Sequence, residues 1–430
     1  MSRRTRMASY VCGVGMTRFS RPFTRKWDYP DIGAEAARKA LADARIDYSQ
    51  VEAVVASYSF GDTTSGQKAV YKLGLTGVPI FNVNNACSSG SSALFMARML
   101  VQSGYKCVLA VGFEKSEQGL SARYTENVSP YGLHTDHLVK LGASPELVSP
   151  NMNSFTSDVF KMFAYAAREY ETKTPDMTSG NILAKIALKN RQHGVNNPYA
   201  CMTKPTTLDD IATPKRTICH PITLGMCTLT ADGGAAAVVC SEEFVRENGL
   251  RDKAIEVIAQ NLVTDLPSSF GEYFRDVCGY SMAKTAAARC FRDSGMDMRD
   301  VDVVEVHDCF SCNELFMYEA LQLAEEGKGC DLFNSGKWIF NRDGGQVYQM
   351  GGRWVVNPSG GLISKGHPIG ATGLAQCAEL VWQLRGEAGK RQVDGAKVGL
   401  QHNFGIGGAA VVTMYKKPEW DTAVLPKAKL

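Results

Sequence analysis

Two stretches of the chain show the same alternation of apolar and polar positions. Residues 36–60 and 286–310 align without a gap, 250 positions apart. In each stretch, apolar residues first recur at helical spacing, and a short polar turn then leads into an apolar run typical of a strand. Identical residues occur at Ala36/Ala286, Ala37/Ala287, Asp43/Asp293, Asp47/Asp297, Val51/Val301, Val54/Val304 and Phe60/Phe310. The pattern predicts a helix–turn–strand unit that occurs twice.

Two further pairs follow in the same order. Residues 87–90 and the helical pattern behind them align with residues 367–370 and their helical pattern, and residues 233–236 align with 407–410. Repeats in one order predict two similar α/β halves. The pseudo-symmetry places Cys87 and His367 at equivalent helix N-termini, where they could face each other across the junction of the halves.

One segment lacks a repeat partner, and it divides the chain. Residues 116–226 contain short helix-like pieces and loops, and we predict an inserted loop domain over the catalytic edge. The expected domains are a first half at 1–115 and 227–252, the insertion, a second half at 253–417 and a tail at 418–430. Cations that could meet an anionic ligand, or simply face solvent, are Lys161, Arg191, Lys204, Lys215 and Arg216.

Composition narrows the class of protein. A chain of 430 residues can bury a large core, and its net charge of +3 does not favour a nucleic-acid partner. No apolar run reaches the roughly eighteen residues of a membrane span. Thirteen scattered cysteines and no secretory signal favour a reducing compartment. Cys309 and Cys312 form a C-x-x-C without a second ligand pair, so we predict no metal site.

Cys87 is the strongest candidate nucleophile. It stands among small residues directly before the helical pattern of residues 93–100. Unpaired backbone N–H groups and the helix dipole would stabilise a thiolate there. The thiolate is the reactive form of cysteine.

Three further segments carry reactive or turn-forming residues. An apolar strand ends in His307, Asp308 and Cys309. Residues 357–373 combine glycines with His367, and residues 402–408 combine His402 with glycines that lack a dinucleotide-binding spacing. Loops at the carboxyl edge of an α/β sheet commonly build the site.

These motifs resemble the thiolase family. The resemblance rests on Cys87-Ser88-Ser89, Gly366-His367-Pro368 and the duplicated halves, and His307-Asp308-Cys309-Phe310 is similar to the loop of the sterol carrier protein type of thiolase. It implies an α/β fold of two pseudo-symmetric βαβαβαββ halves, which form a five-layered α-β-α-β-α core with an inserted loop domain. It also implies a homodimer or a dimer of dimers.

One departure from the family pattern concerns the second catalytic cysteine. Most thiolases carry it in a Cys-x-Gly loop, whereas this chain reads His402-Asn403-Phe404-Gly405. In the sterol carrier protein type, the cysteine of the His-Asp-Cys-Phe loop is thought to replace it. The resemblance therefore assigns the acid/base role to Cys309, with His402 as a rival.

The resemblance implies cleavage of a 3-oxoacyl-CoA by CoA in fatty-acid, branched-acyl or sterol side-chain β-oxidation. Cys87 would form the acyl-enzyme, His367 would act as base, and His307 and His367 would hold the thioester oxygen. Backbone of Cys87 and of Gly405, Gly407 and Gly408 would hold the oxyanion. CoA is expected to contact Asn357, Ser359, Gly360 and Gly361. CoA and acyl-CoA are substrates, and no metal or redox cofactor is expected.

Three other functions remain open from the sequence, and the third, a structural or lipid-carrier role, has no sequence feature in its favour. A condensing enzyme could use Cys87, His307 and His367 on the same architecture, and a thiolase-like protein could bind acyl-CoA without catalysis. Cys309 and the accepted acyl donor separate the first from a thiolase. Reaction of Cys87 with iodoacetamide would separate the second.

Both ends of the chain contain residues typical of targeting signals. Ala428-Lys429-Leu430 resembles a peroxisomal signal, which implies an import receptor as partner and a peroxisomal or glycosome-type location. The arginines of residues 1–7 suggest a mitochondrial alternative. Because the chain ends soon after the last predicted strand, we expect no fused lipid-carrier domain.

Overall fold

The computed structural model describes residues 7–116, 132–144, 154–213, 215 and 217–420, with only the backbone of residues 154–158. Its strands are β1 Ser9–Met16, β2 Ala53–Ser57, β3 Ile80–Val83, β4 Cys107–Glu114, β5 Thr217–Cys219, β6 Ile222–Thr223, β7 Gly233–Ser241, β8 Ile255–Thr264, β9 Val303–Glu305, β10 Lys337–Phe340, β11 Gln346–Met350, β12 Trp354–Val356, β13 Val398–Gly405 and β14 Ala409–Lys416. Its α-helices are α1 Tyr29–Ala44, α2 Ser65–Val70, α3 Ser89–Gln102, α4 Gly132–Lys140, α5 Ser154–Lys173, α6 Asp176–Ser179, α7 Ile182–Val195, α8 Leu208–Ala212, α9 Glu242–Glu247, α10 Phe274–Val277, α11 Tyr280–Ser294, α12 Ser311–Ala320, α13 Gly329–Asn334, α14 Gly361–Lys365 and α15 Thr372–Arg385.

The two halves have the same strand order. The first half runs β3-β2-β4-β7-β1 and the second runs β12-β9-β13-β14-β8, with the β10–β11 hairpin added beyond β12. The halves join where β1 pairs with β8, through Tyr10 opposite Glu256 and Val11 opposite Ile255. The predicted duplication is therefore confirmed, and the two sheets form one continuous set of strands.

The helices complete five layers. Helix α1 covers the outer face of the first sheet and α11 the outer face of the second, while α3 and α15 pack on each other between the sheets. The inner helices present small and aliphatic side chains such as Ala93, Leu94, Leu374 and Ala378, which are fully buried in one core cluster. Burial of these apolar faces holds the layers together. The predicted α-β-α-β-α arrangement is confirmed.

The repeated aspartates explain how the duplicated unit turns from helix to strand. Asp47 caps the 3₁₀ turn Tyr48–Gln50, and its side chain accepts a hydrogen bond from the N–H of Ser49. Asp297 caps Met298–Asp300 in the same way, through the N–H of Arg299. A carboxylate in this position satisfies a backbone donor that the turn would otherwise leave unpaired. Both turns then lead directly into the second strand of their half.

The second repeat needs a correction of register. Helix α3 begins two residues after Cys87, whereas α15 begins five residues after His367. At the helix contact, a Cβ atom on Gly90 would lie 2.9 Å from the backbone nitrogen of Gly373. The prediction of equivalent helix N-termini was wrong for His367, which lies in the loop between α14 and α15.

The segment between β4 and β7 packs mainly on the second half. Its helix α7 places Lys189 against Glu314 of α12, and Phe163 of α5 packs on Phe310 with 4.6 Å between ring centroids. The sequence position of the insertion suggested that the first half carries it, but its apolar side chains share a core with the second. The exact domain boundaries stay predictions. No helix in the described ranges is long and apolar enough to cross a membrane.

Candidate active site

Cys87 lies in the tight turn between β3 and α3. Ala86 before it adopts a left-handed conformation with φ of 47°, and α3 starts at Ser89. Gly405, at the end of β13, approaches this turn so closely that a Cβ atom would lie 2.1 Å from the carbonyl oxygen of Asn85. The turn and the close strand together fix the position of the Cys87 sulfur between the two halves.

The Cys87 thiol is not a preformed thiolate. Burial raises the pKa of Cys87 to about 12, while backbone hydrogen bonds with Ile406 and with Cys87 itself lower it by less and the charge of Glu114 raises it further. We expected the helix N-terminus to stabilise the thiolate, but loss of hydration outweighs the donors that the turn provides. Attack by Cys87 therefore requires a neighbouring base.

His367 has the geometry of that base. Its Nδ1 lies 2.6 Å from the Thr372 hydroxyl oxygen, and that hydroxyl donates to the Pro368 carbonyl at 3.0 Å. Because the hydroxyl proton is committed to Pro368, the Thr372 oxygen accepts, and Nδ1 carries the imidazole proton. Nε2 is then unprotonated, and it is buried without a hydrogen-bond partner among the described residues. Burial lowers the pKa of His367 to about 3, so the ring is neutral at physiological pH.

His307 completes the centre. The Cys87 sulfur and one ring nitrogen each of His307 and His367 lie within 4.8 Å of one another. The two imidazoles meet edge to face, with 5.2 Å between centroids and 80° between planes. Burial, followed by the charges of His367 and His402, holds the pKa of His307 well below its usual range. The site thus brings together one thiol and two neutral imidazoles.

This set of atoms has the chemistry of a soft-metal site as well as of a thiol-activating site. A thiolate and two imidazole nitrogens suit Zn²⁺. However, the Nδ1 of His307 lies 3.0 Å from the Asn403 amide nitrogen, which can only donate, so the other nitrogen carries the proton. In these neutral tautomers His307 has no free lone pair, since its Nδ1 accepts from Asn403 and its Nε2 carries the proton, so the site is suited to proton transfer between Cys87 and His367.

Cys309 is buried two residues after His307, and its role as the acid stays a prediction. Burial, and next the charge of Cys87, raise the pKa of the Cys309 thiol well above its usual range. It therefore stays protonated until a strongly basic atom approaches. Its partner in the C-x-x-C, Cys312, lies in α12 and donates to the carbonyl of Phe163 at 3.8 Å.

His402 lies on the face of β13 opposite Asn403. Along this strand, Leu400 and Phe404 belong to the core beneath α11, whereas Asn403 contacts the carbonyl oxygen of Cys87 at 3.1 Å. Since side chains alternate along a strand, His402 shares the face of Leu400 and Phe404. Within the part of the chain that the structure describes, both ring nitrogens of His402 are buried without a hydrogen-bond partner, and burial lowers the pKa of His402 to about 3.

The glycine loop differs from the expected oxyanion set. Gly407 and Gly408 have φ of 94° and 100°, and a Cβ atom on Gly408 would lie 2.1 Å from Asp265. These glycines thus allow the sharp turn after β13, while the backbone hydrogen bond to the Cys87 sulfur comes from Ile406. Sequence reasoning missed Ile406 because an ordinary apolar side chain gives no sign of a reactive backbone group.

The residues expected to contact CoA are all buried. The side-chain oxygen of Asn357 accepts a hydrogen bond from the N–H of Val306 at 2.8 Å, and its amide nitrogen donates to Glu314 at 2.9 Å. The Ser359 hydroxyl donates to Glu305 at 2.8 Å. Gly360 and Gly361 are equally buried, and a Cβ atom on Gly361 would lie 2.2 Å from Asp308. Their contacts shape the loop, and their contact with CoA stays a prediction.

Glu114 is a buried group that sequence reasoning missed. It ends β4 and accepts hydrogen bonds from the N–H groups of Ser59, Phe60 and Gly370 at 3.0, 3.0 and 2.9 Å. Burial nevertheless raises the pKa of Glu114 to about 7. Because Gly370 follows His367 in the same loop, this carboxyl group joins the first half to the loop that carries the base.

The remaining cationic candidates differ in exposure, or lie outside the described residues. Arg191 is buried, and the charge of Asp308 raises its pKa less than burial lowers it. Lys204 and Lys215 are exposed. Arg216, residues 1–6 and the final Ala428-Lys429-Leu430 lie outside the residues that the structure describes.

Family models match both halves of the chain. Residues 9–204 match "Thiolase, N-terminal domain" and residues 272–416 match "Thiolase C-terminal domain-like". The chain is 53% identical over 413 residues to "Sterol carrier protein 2" of Oryctolagus cuniculus, covering 95% of this chain and 71% of that protein. It is 32% identical to "Acetyl-CoA acetyltransferase" of Methanothermobacter thermautotrophicus, covering 95% and 99%.

The fold is shared more widely than the chemistry. The solved structure of "Ltp2-ChsH2(DUF35) aldolase" superposes with a TM-score of 0.74 at 21% identity and covers 96% of this chain and 98% of that one. At this identity the likeness concerns the fold alone. The reaction must be inferred from the side chains at the centre.

Proposed function

Since the chain belongs to the thiolase family, we propose that it is a 3-oxoacyl-CoA thiolase. The reaction transfers an acyl group from a 3-oxoacyl-CoA to CoA and releases acetyl-CoA, as in β-oxidation of fatty, branched or sterol side chains. The observation that carries the proposal is a protonated Cys87 thiol beside the neutral ring of His367, whose Nε2 has no hydrogen-bond partner in the described ranges.

The first step forms the acyl-enzyme. His367 Nε2 accepts the proton of Cys87 as the sulfur attacks the C3 carbonyl of the substrate. The oxyanion at C3 accepts hydrogen bonds from backbone donors, and the Ile406 and Cys87 N–H groups suit this role because both already face the sulfur. Collapse of this intermediate breaks the C2–C3 bond and leaves the acyl group on Cys87.

The second step protonates the acetyl-CoA enolate. Its oxygen accepts hydrogen bonds from His307 and from His367, which now carries the proton taken from Cys87. Cys309 gives its proton to C2, and its raised pKa favours a thiol until the carbanion forms. Acetyl-CoA then leaves, with a thiolate on Cys309.

The third step regenerates the enzyme. The Cys309 thiolate takes the proton of incoming CoA, the CoA sulfur attacks the acyl thioester, and Cys87 leaves with the proton from His367. Each enzyme group regains its starting protonation state, because the CoA proton replaces the one that Cys309 gave to C2. Since acetyl-CoA leaves before CoA reacts with the acyl-enzyme, the cycle predicts ping-pong kinetics. CoA and acyl-CoA act as substrates, and the cycle as written uses no metal or redox cofactor.

Assembly and location are part of the same proposal. Strand β3 ends the sheet with one backbone edge unpaired among the described strands, and such an edge suits pairing with a second copy in a homodimer. The final Ala428-Lys429-Leu430 favours recognition by a peroxisomal import receptor.

The test is mass spectrometry of the intact protein after brief incubation with acetoacetyl-CoA. We expect one acyl adduct on the Cys87 peptide, its absence in Cys87→Ala, and its release by CoA. Thiolysis of 3-oxoacyl-CoAs of different length and branching then defines the substrate. An adduct on Cys309 alone, or an unmodified Cys87 that binds acyl-CoA, would overturn the proposal. Acylation followed by condensation with a carrier-bound donor would identify a condensing enzyme.

A further inference from the structure

Asn403 connects the nucleophile to one of the two histidines. Its amide nitrogen lies 3.1 Å from the carbonyl oxygen of Cys87 and 3.0 Å from Nδ1 of His307. Its amide oxygen lies 2.8 Å from the hydroxyl of Ser91. Asn403 is fully buried, so these contacts form without competition from bulk water.

Two independent contacts fix the orientation of this amide. The Cys87 carbonyl can only accept a hydrogen bond, so the nitrogen of Asn403 must face it. On the other side, the hydroxyl of Ser91 accepts a hydrogen bond from the Gln401 amide nitrogen at 2.8 Å, which directs its own proton to the oxygen of Asn403. A flipped amide would lose both contacts.

The Gln401 amide is itself held in one orientation. Its nitrogen donates to the Gly373 carbonyl at 2.7 Å, and its oxygen accepts from the Tyr415 hydroxyl at 2.5 Å. A directed series of buried hydrogen bonds therefore runs from Tyr415 through Gln401 and Ser91 to Asn403. It crosses β14, β13 and α3, and it ends at His307.

The tautomer of His307 follows from this direction. Because Asn403 donates to Nδ1, that nitrogen holds a lone pair, and the proton of the neutral ring lies on Nε2. His367 has the opposite arrangement, with its proton on Nδ1 and a lone pair on Nε2. The centre thus contains one imidazole that can accept a proton and one that can donate a hydrogen bond from the start of the cycle.

We propose that Asn403 is a positioning residue that keeps His307 in the Nε2–H tautomer, so that His307 donates a hydrogen bond to the thioester oxygen as the enolate forms. This inference rests on the proposed thiolase function. It adds that Asn403, which stands in the loop where a second catalytic cysteine was expected, acts through His307 and through the backbone of Cys87.

The decisive variant is Asn403→Asp, which replaces the donor by an acceptor of the same shape. A carboxylate next to Nδ1 draws the imidazole proton to that side and leaves a lone pair on Nε2, opposite the enolate oxygen. Loss of one such donor typically lowers kcat by about 10²–10³-fold. We expect that loss in the thiolysis kcat, with KM changed by less than about threefold.

The pH profile separates this role from a structural one. The carboxylate in Asn403→Asp raises the affinity of His307 for a second proton, and the imidazolium carries N–H groups on both nitrogens. Activity of the variant relative to the wild type should therefore recover as pH falls. The matched control is Asn341→Asp, at a buried asparagine that donates to the carbonyls of Lys390 and Gln392. It should lower stability without this recovery.

Nitrogen NMR of the wild type tests the inference directly. With ¹⁵N-labelled histidine, and with His307→Ala to assign the signals, His307 should show an unprotonated Nδ1. A protonated Nδ1 in the wild type overturns the inference, as does wild-type kcat in Asn403→Asp. The inference is also overturned if Asn403→Asp lowers kcat by the same factor in the His307→Ala background as in the wild type. Failure of the wild type to acylate Cys87 would instead refute the thiolase proposal.

Discussion

Replacement of Thr372 by valine tests how much of the activity depends on the orientation of the base. Valine keeps the shape of threonine but removes the hydroxyl that lies 2.6 Å from Nδ1 of His367. The Nδ1–H would then be a buried donor without an acceptor, a state that costs about 1–3 kcal/mol. The imidazole escapes this cost by moving its proton to Nε2, which is the nitrogen that must accept the proton of Cys87.

The structure sets the size of the expected effect. About 1.4 kcal/mol corresponds to a factor of ten, so a penalty of about 1–3 kcal/mol lowers the population of the active tautomer by roughly 5- to 150-fold. The assay is rapid-quench measurement of Cys87 acylation by acetoacetyl-CoA in a single turnover. Thr372→Ser, which keeps the hydroxyl, should retain most of the wild-type rate. Acylation by Thr372→Val at the wild-type rate would refute the role of Thr372.

Three further predictions concern the acid, a buried carboxyl group and the C-terminus. Cys309→Ala should slow thiolysis by roughly 10²–10⁴-fold and abolish hydrogen–deuterium exchange at the acetyl-CoA methyl group. Acylation of Cys87 from a simple thioester should persist in this variant. If His402→Ala abolishes the exchange and Cys309→Ala does not, His402 and not Cys309 is the acid/base. Burial raises the pKa of Glu114 to about 7, so the native state binds the Glu114 proton more tightly than the unfolded chain does. In unfolding titrations, the stability of the wild type relative to Glu114→Gln should therefore fall as pH rises from about 4.5 to 7. A rise in this stability difference over the same range would contradict the prediction. Deletion of residues 428–430 should leave a tagged protein in the cytosol, and continued import that depends on the N-terminal arginines would favour the mitochondrial address.

The parts of the fold that depend on local sequence pattern could be predicted from the sequence. The pattern shared by residues 36–60 and 286–310 predicted a helix, a turn and a strand in each half, and the repeats in one order predicted two similar halves. The sequence did not reveal that β1 pairs with β8 or that the insertion shares a core with the second half. Those contacts join segments far apart in the chain, and no local propensity encodes them.

For the candidate site, the sequence likewise predicted the residues that form local motifs and missed the properties that depend on contacts distant in the chain. Motifs predicted that Cys87, His307, His367 and Cys309 would serve one reaction, and the structure brings the first three together. The pKa values could not be predicted, since they depend on burial by residues from both halves. The supporting contacts of Thr372 and Asn403 were missed for the same reason, because each matters only through the group that it faces after folding.

The layered arrangement also has a consequence for biosynthesis. His367 follows Cys87 by 280 residues, and β14, which closes the second sheet, ends at Lys416. At about 5–20 residues per second, a ribosome needs roughly 15 to 55 s to add the base after the nucleophile. During that interval the Cys87 thiol lacks His367, and helix α3, which follows it, lacks α15 as a neighbour. If the proposed function holds, acyl transfer can begin only once the whole layered core has assembled, so a nascent or half-folded chain would not consume acyl-CoA.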